Sequence, residues 1–179
     1  MASFAAVGSI VIPALLDLSA ALDVQALCAS EPGYVYSAGS DTCFEPPPPS
    51  YSLKWQHAFQ YCEGCYGCPA GAKGRLAHLT HETDVEALGQ LGLTQISVYF
   101  LAYHSVTGVP SANPANWAFC QDASCTSHAP FNLTSPTTDL STGESGDSCA
   151  IYYPVSNVMA SYPCDDKATF ICQYYAEAQ

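Results

Sequence analysis

Apolar positions recur at helical spacing in some stretches of the chain and run together in others. Trp55, Ala58, Phe59 and Cys62 fall at i, i+3, i+4 and i+7, which predicts an amphipathic helix over 52–62 with Ser52 as N-cap. A second helix is predicted from a cap at Thr80 or His81 to about Gln90, with Val85 and Leu88 facing inward. Glu82, Asp84 and Glu86 occupy its first turns, where the helix dipole favours negative charge. The aromatic and branched run Ile96–Tyr103 predicts a strand, and so do Ala150–Val155 and Thr169–Tyr174. Residues 28–51 read as two short strands and a turn, ending in Pro46-Pro47-Pro48-Pro49, a stiff polyproline II piece. From Gly108 to Ser148 the chain is rich in Gly, Pro, Ser, Thr, Asn and Asp and reads as one long loop.

Residues 1–27 are apolar and almost uncharged, and two readings compete for them. As a mature segment, Val11, Leu15, Leu18 and Leu22 lie on one helical face, available for assembly with further copies of the chain. As a secretory leader, the segment would be cleaved at Val24-Gln25-Ala26. The leader reading lacks a basic residue before the apolar run and must accommodate Asp17 and Asp23, so retention is favoured. The run is too short and too interrupted to span a membrane.

Charge narrows the function classes. The 179 residues carry 4 Lys+Arg against 16 Asp+Glu, a net charge of -12. Four cations cannot track a phosphate backbone, so nucleic acid is excluded as a partner, and an anionic membrane surface would repel the chain. Only 11% of residues are charged while 49% are hydrophobic, which excludes a disordered chain. A surface this poor in charge needs hydroxyls, glycans or a covering partner to stay soluble.

The ten cysteines are Cys28, Cys43, Cys62, Cys65, Cys68, Cys120, Cys125, Cys149, Cys164 and Cys172. An even number spread along the chain points to a disulfide framework in an oxidising compartment. Zinc competes at Cys62-x-x-Cys65-x-x-Cys68 with His57 nearby, but no second Cys-x-x-Cys exists to complete a structural site.

Three motifs together resemble the C-type lectin-like domain: Trp55-x-x-Ala58-x-x-x-Cys62; Leu76-Ala77-His78-Leu79; and Cys149 followed by Cys164 with seven residues to Cys172, preceded by Phe170-Ile171. The resemblance covers residues 28–175, leaving the apolar segment 1–27 and a short tail, 176–179. It implies an α+β fold with two helices, a curled antiparallel sheet and a long loop region. It implies the pairs Cys62–Cys172, Cys149–Cys164 and the hairpin staple Cys28–Cys43. The other four cysteines are extra to the pattern. Cys65–Cys68 and Cys120–Cys125 are the simplest pairings, and crossing between the two local pairs is the alternative.

Sugar-binding members similar to this domain hold calcium through a loop triplet, a Glu before the third-last cysteine and a Trp-Asn-Asp strand triplet. Here the loop offers Ser135-Pro136-Thr137 and the strand before Cys164 reads Ala160-Ser161-Tyr162-Pro163. Calcium takes six to eight hard oxygen ligands, and Glu144 and Asp147 alone make a weak site. No cofactor is therefore expected. The usual core stretch is altered to Val98-Tyr99-Phe100-Leu101-Ala102, which still suits a strand.

Other chemistry is sparse. His78 and His81 near Glu82, Asp84 and Glu86 could suit a divalent ion, but the solvated start of an acidic helix is favoured. Nothing marks a catalytic triad, a phosphate loop or a carboxylate pair, so no catalytic residue is assigned. Asn132-Leu133-Thr134 is a glycosylation sequon. Trp117, Asn132, Tyr152, Tyr153 and Tyr162 are candidate contacts for a ligand or partner, since tyrosine and tryptophan pair an apolar body with a polar tip. The sequence thus predicts a non-enzymatic extracellular module that recognises a glycan or a protein without calcium. The alternative is a structural glycoprotein subunit of a filament or matrix, assembled through its apolar N-terminal segment.

Overall fold

The computed structural model describes residues 22–65, 68, 71–111, 113–130, 137–140 and 148–176. Helix α1 spans Val24–Ser30, capped by the Asp23 carboxylate, which accepts from the Ala26 amide at 2.9 Å. Val24 and Cys28, one turn apart, are its buried residues. This helix corrects the expectation of strand and turn from residue 28 onward, and raises the helix count among the described residues to three. The signal was a single turn, Asp23 followed by an i, i+4 apolar pair, too short to register as periodicity. The cleavage signature Val24-Gln25-Ala26 lies inside α1. Of the candidate assembly face, Leu22 packs against this chain's own core, and Val11, Leu15 and Leu18 lie outside the described residues.

Strands β1 (Val35–Ser37) and β2 (Thr42–Phe44) form an antiparallel hairpin, and Cys28–Cys43 ties α1 to it. Helix α2 runs Trp55–Glu63 with Trp55, Ala58, Phe59 and Cys62 buried, the face its spacing predicts. Its N-cap is Lys54, not Ser52. Leu53 is held in an isolated bridge by Ala168, with N···O distances of 3.0 and 3.1 Å, so the helix cannot begin before it.

Strand β3 (Ala72–Leu76) lies against the end of α2. A Cβ at Gly74 would stand 2.2 Å from the Cys62 carbonyl oxygen, so only glycine permits this approach. Helix α3 (Glu82–Gln90) is capped reciprocally by His81 and Asp84. Leu88 is buried as predicted, and Val85 is partly buried against the core. Asp84 is not the solvated dipole partner expected from the sequence: it is 0% exposed. Ser37, Ser40, the Thr80 amide and the His81 amide all donate to its carboxylate. The carboxylate thereby pins the hairpin to α3.

The first sheet has the order β1-β2-β11-β3, where β11 is Cys172–Ala176. The second is built on β4 (Tyr99–Ser105), with β5 (Trp117–Cys120) and β6 (His128–Pro130) on one side. On the other side are β8 (Ser148–Tyr153), β9 (Val158–Pro163) and β7 (Thr137–Asp139), while β10 (Thr169–Phe170) pairs in parallel with β4. The predicted loop from Gly108 to Ser148 therefore contains three short strands and a 3-10 turn at Pro114–Asn116. Their sequences carry no apolar alternation long enough to announce a strand. Ile96, expected to open a strand, is 97% exposed in the turn before β4.

The predicted strand Thr169–Tyr174 is two strands. At Ile171 the chain changes sheets: the Ile171 carbonyl accepts from the Ala77 amide at 2.8 Å, and the Ala77 carbonyl accepts from the Ala102 amide at 2.9 Å. Ala77 thus joins both sheets around the buried Phe100, Phe170 and Leu76. All ten cysteines are paired: Cys28–Cys43, Cys62–Cys172, Cys65–Cys68, Cys120–Cys125 and Cys149–Cys164. The four extra cysteines pair locally, and the sulfurs of Cys62, Cys65 and Cys68 are taken up by these bonds.

Candidate binding site

Three remote segments converge at the start of α2 to wall an open cleft of about 760 Å³. Lys54, Trp55, Gln56 and His57 come from the first turn of the helix. His104 to Gly108 come from the end of β4 and the turn beyond it. Ala123, Ser124 and Cys125 come from the long loop, and Cys164 and Asp165 from the turn after β9. Such volume suits a small ligand or a few sugar rings.

Each wall is fixed from behind. The Trp55 indole N–H donates to the Leu101 carbonyl at 2.8 Å, and its amide donates to the Cys164 carbonyl at 3.1 Å. One residue therefore locks the helix start onto both β4 and the Cys164 turn. The His104 ring lies 5.8 Å from the indole, and its Nδ1 donates to the Ser105 carbonyl at 2.8 Å. The Cys120–Cys125 staple closes a loop around Asp122, whose carboxylate accepts from Ser124, Thr126 and Ser127. Those bonds, led by the Ser124 hydroxyl, hold the Asp122 carboxyl below the usual carboxylate range. The Asp122 network therefore supports the Ser124 wall.

Lys54 and Asp165 form an ion pair at 2.8 Å with side chains 46% and 91% exposed. The hydrogen bond and charge of Lys54 hold the Asp165 carboxyl low. The lining is thus electrically balanced, with one cation, one anion, two imidazoles, an amide and several hydroxyls. His104 also lies near Cys149 and Cys164, within metal-ligand spacing, but both sulfurs are consumed by the Cys149–Cys164 bond and offer no thiolate.

The residues singled out in the sequence fall elsewhere. Trp117 is 1% exposed and donates its indole N–H to the Ser111 carbonyl, so it is a core residue rather than a surface contact. Tyr152 is buried, with its hydroxyl on the Asn157 amide oxygen at 3.0 Å. Tyr153 is exposed at the end of β8, and Tyr162 is half-buried near the end of β9. Asn132, Glu144 and Asp147 lie outside the described residues. His78 and His81 do not meet: the His78 ring stacks at 3.6 Å on Phe119, and His81 Nδ1 bonds the Thr80 hydroxyl. Burial pulls the His78 imidazole down to about 3, keeping it neutral. Sequence reading passed over Lys54, Gln56, His104 and Asp165 because no local motif links them. The nearest signal was the cysteine pattern that fixes Cys164 beside the helix start.

Calcium, implied by the fold, can be tested against the strands that would carry it. Strand β8 reads Ser-Cys-Ala-Ile-Tyr-Tyr and β9 reads Val-Met-Ala-Ser-Tyr-Pro. Neither supplies a carboxylate or amide side chain, and the nearby Asn157 oxygen already accepts from Tyr152. These strands do not fit a calcium ion.

No family profile matches the sequence, and no curated protein matches it. Solved structures do resemble the fold. The carbohydrate-recognition domain of mouse scavenger receptor C-type lectin superposes with a TM-score of 0.55 at 13% identity, over 82% of this chain and 98% of that one. Human lithostathine gives 0.56 at 17% identity, over 86% and 94%. The C-type lectin domain of murine dendritic cell inhibitory receptor 2, solved with an N-glycan, gives 0.51 at 12% identity, over 74% and 89%. The chain therefore has the C-type lectin-like fold.

Proposed function

We propose that this chain is a secreted, non-enzymatic recognition module that binds a neutral glycan in the cleft at the start of α2, without calcium. The composition of that cleft carries the reading. Gln56 and Asp165 line it with polar atoms and Thr107 and Ser124 with hydroxyls, beside the rings of His57 and His104. Sugar hydroxyls need alternating donors and acceptors with a ring face to pack on, and a lining of zero net charge does not select against an uncharged ligand. The fold supports a lectin-like role, since two of the superposed structures are C-type lectin domains and one carries an N-glycan. Calcium independence is supported by strands β8 and β9, which lack oxygen ligands. Secretion is supported by five disulfides, which persist in an oxidising compartment.

A glycan array probed in calcium and in chelator tests this directly. Binding to uncharged oligosaccharides is expected in both, and is expected to be lost in the double variant Gln56→Ala, His104→Ala. An array blank under both conditions overturns glycan recognition. Binding seen only with calcium overturns the calcium-free mode. Binding retained by the double variant overturns the cleft.

A further inference from the structure

On the face of β3 and β11 opposite α2, two buried donors stand side by side without an acceptor among the described residues. Arg75 and Gln173 are direct cross-strand partners, so their side chains share one face. Gln173 is 0% exposed, and its Oε1 accepts from the His78 amide at 2.6 Å. That bond fixes the amide and commits Nε2 to the other side, where it has no hydrogen-bond partner among the described residues. The Nε of Arg75 is likewise buried without an acceptor. Buried donors of this kind are rare in native proteins and call for a specific explanation.

The arginine itself is half-buried and held against aromatic rings. Its guanidinium lies 4.4 Å from the Tyr175 ring centre and 5.4 Å from that of Phe119. The His78 ring stacks on Phe119, continuing the aromatic support. No carboxylate forms an ion pair with Arg75 among the described residues, although the chain has 16 Asp+Glu. Lys73 follows the same strand face two residues away, so two of the chain's four cations sit together here. A planar cation clamped between rings, with an amide donor beside it, is the donor set that recognises an oxyanion in two-point geometry.

We propose that Arg75 and Gln173 form an oxyanion site, separate from the α2 cleft, that takes a carboxylate or sulfate group. The anion accepts from Arg75 Nε–H and Gln173 Nε2–H, and the rings of Phe119 and Tyr175 hold the guanidinium in place. The anion arrives either free or as the acidic substituent of a sugar.

Arg75 is the sole arginine of the sequence, so its Nε–H gives a single side-chain resonance. The full chain, labelled with 15N, is titrated with inorganic sulfate and separately with methyl glucuronide. Each runs to about 50 mM, the range of a weak single site, at ionic strength held constant with chloride. Saturable movement of the Arg75 Nε–H and Gln173 amide resonances is expected with at least one probe. Movement with the glucuronide marks a sugar-borne anion, and movement with sulfate alone marks a free ion. Arg75→Lys is expected to weaken the response of the Gln173 amide at least about fivefold, because lysine cannot offer the planar fork. No saturable shift with either probe, or equal shifts with chloride, shows donors solvated by water alone and overturns the proposal. Should the variant fail to fold, the wild-type titration still decides. Failure here leaves the glycan array result for the cleft untouched.

Discussion

The Ser37 hydroxyl donates to Asp84 Oδ1 at 2.5 Å, across 47 residues of sequence. With Ser40, Thr80 and His81 donating to the same carboxylate, one buried charge holds the β1–β2 hairpin against α3. A Cβ at Gly39 would stand 2.4 Å from Thr83 Oγ1, so the two pieces are in close contact there as well. Replacing Asp84 by Ala leaves several donors without an acceptor, each costing about 1–3 kcal/mol. A loss of at least about 3 kcal/mol in a urea unfolding curve is expected. A loss within about 0.5 kcal/mol, the scale of a surface substitution, shows that the hairpin docks without the carboxylate.

Two acids, Asp84 buried and Glu45 half-buried, give opposite pH dependences. For Asp84, burial pushes the carboxyl up, but the hydrogen bonds from Ser37, Ser40, Thr80 and His81 outweigh it and hold the group below the usual range. Its stabilisation is present above the unfolded pKa of about 3.9 and is lost as pH falls through the lower folded value. Glu45 is raised by burial, although the hydroxyls of Tyr174 and Tyr34 donate to it and lower it in part. Its contribution is complete below the unfolded pKa of about 4.3 and is lost as pH rises through the higher folded value. Glu45→Gln should therefore gain stability on the wild type as pH rises from about 4 to 7. A parallel pair of stability–pH curves would contradict this.

Much of the framework was legible because it rests on local spacing. The buried face of α2 follows from Trp55, Ala58, Phe59 and Cys62, and the five cysteine pairs follow from the resemblance and from proximity. What escaped depends on tertiary pairing. Strands β5, β6 and β7 are three or four residues long and exist because β4, β5 and β9, in that order, offer them edges. Asp84 carried the same sequence signal as any acidic first-turn residue, and only the folded hairpin makes it buried. The cleft residues Lys54, His104 and Asp165 lie far apart in the chain, and Trp117 looked like a contact residue until its indole met Ser111.

The disulfides should rank by the loop each closes. Cys62–Cys172 spans 110 residues, Cys149–Cys164 spans 15, and Cys65–Cys68 spans 3. In the chain-entropy account these correspond to about 4–5 and 3 kcal/mol for the first two, and less for the third. Paired Cys→Ala variants should lose Tm in that order. A larger loss from Cys65 and Cys68 than from Cys149 and Cys164 would mean that native contacts, not chain entropy, dominate here.

Trp55 combines support and enclosure, and the two can be separated. Trp55→Phe keeps an aromatic ring beside His104 but removes the N–H that bonds the Leu101 carbonyl, leaving that buried oxygen short of a donor. A loss of about 1–3 kcal/mol is expected, against about 3–5 kcal/mol for Trp55→Ala, which also empties the core behind the helix. Asp165→Asn should behave in the reverse way. Its carboxylate is 91% exposed and, among the described residues, paired only with Lys54, so Tm should barely move, since exposed ion pairs contribute little. Yet the change removes an acceptor and the local charge balance from the cleft, so glycan affinity should fall about tenfold, the value of one lost hydrogen bond to a charged group. Tm and affinity measured on both variants give four numbers. If Asp165→Asn lowers Tm as much as Trp55→Phe while glycan binding stays intact, the carboxylate is a structural brace and the ligand does not touch it.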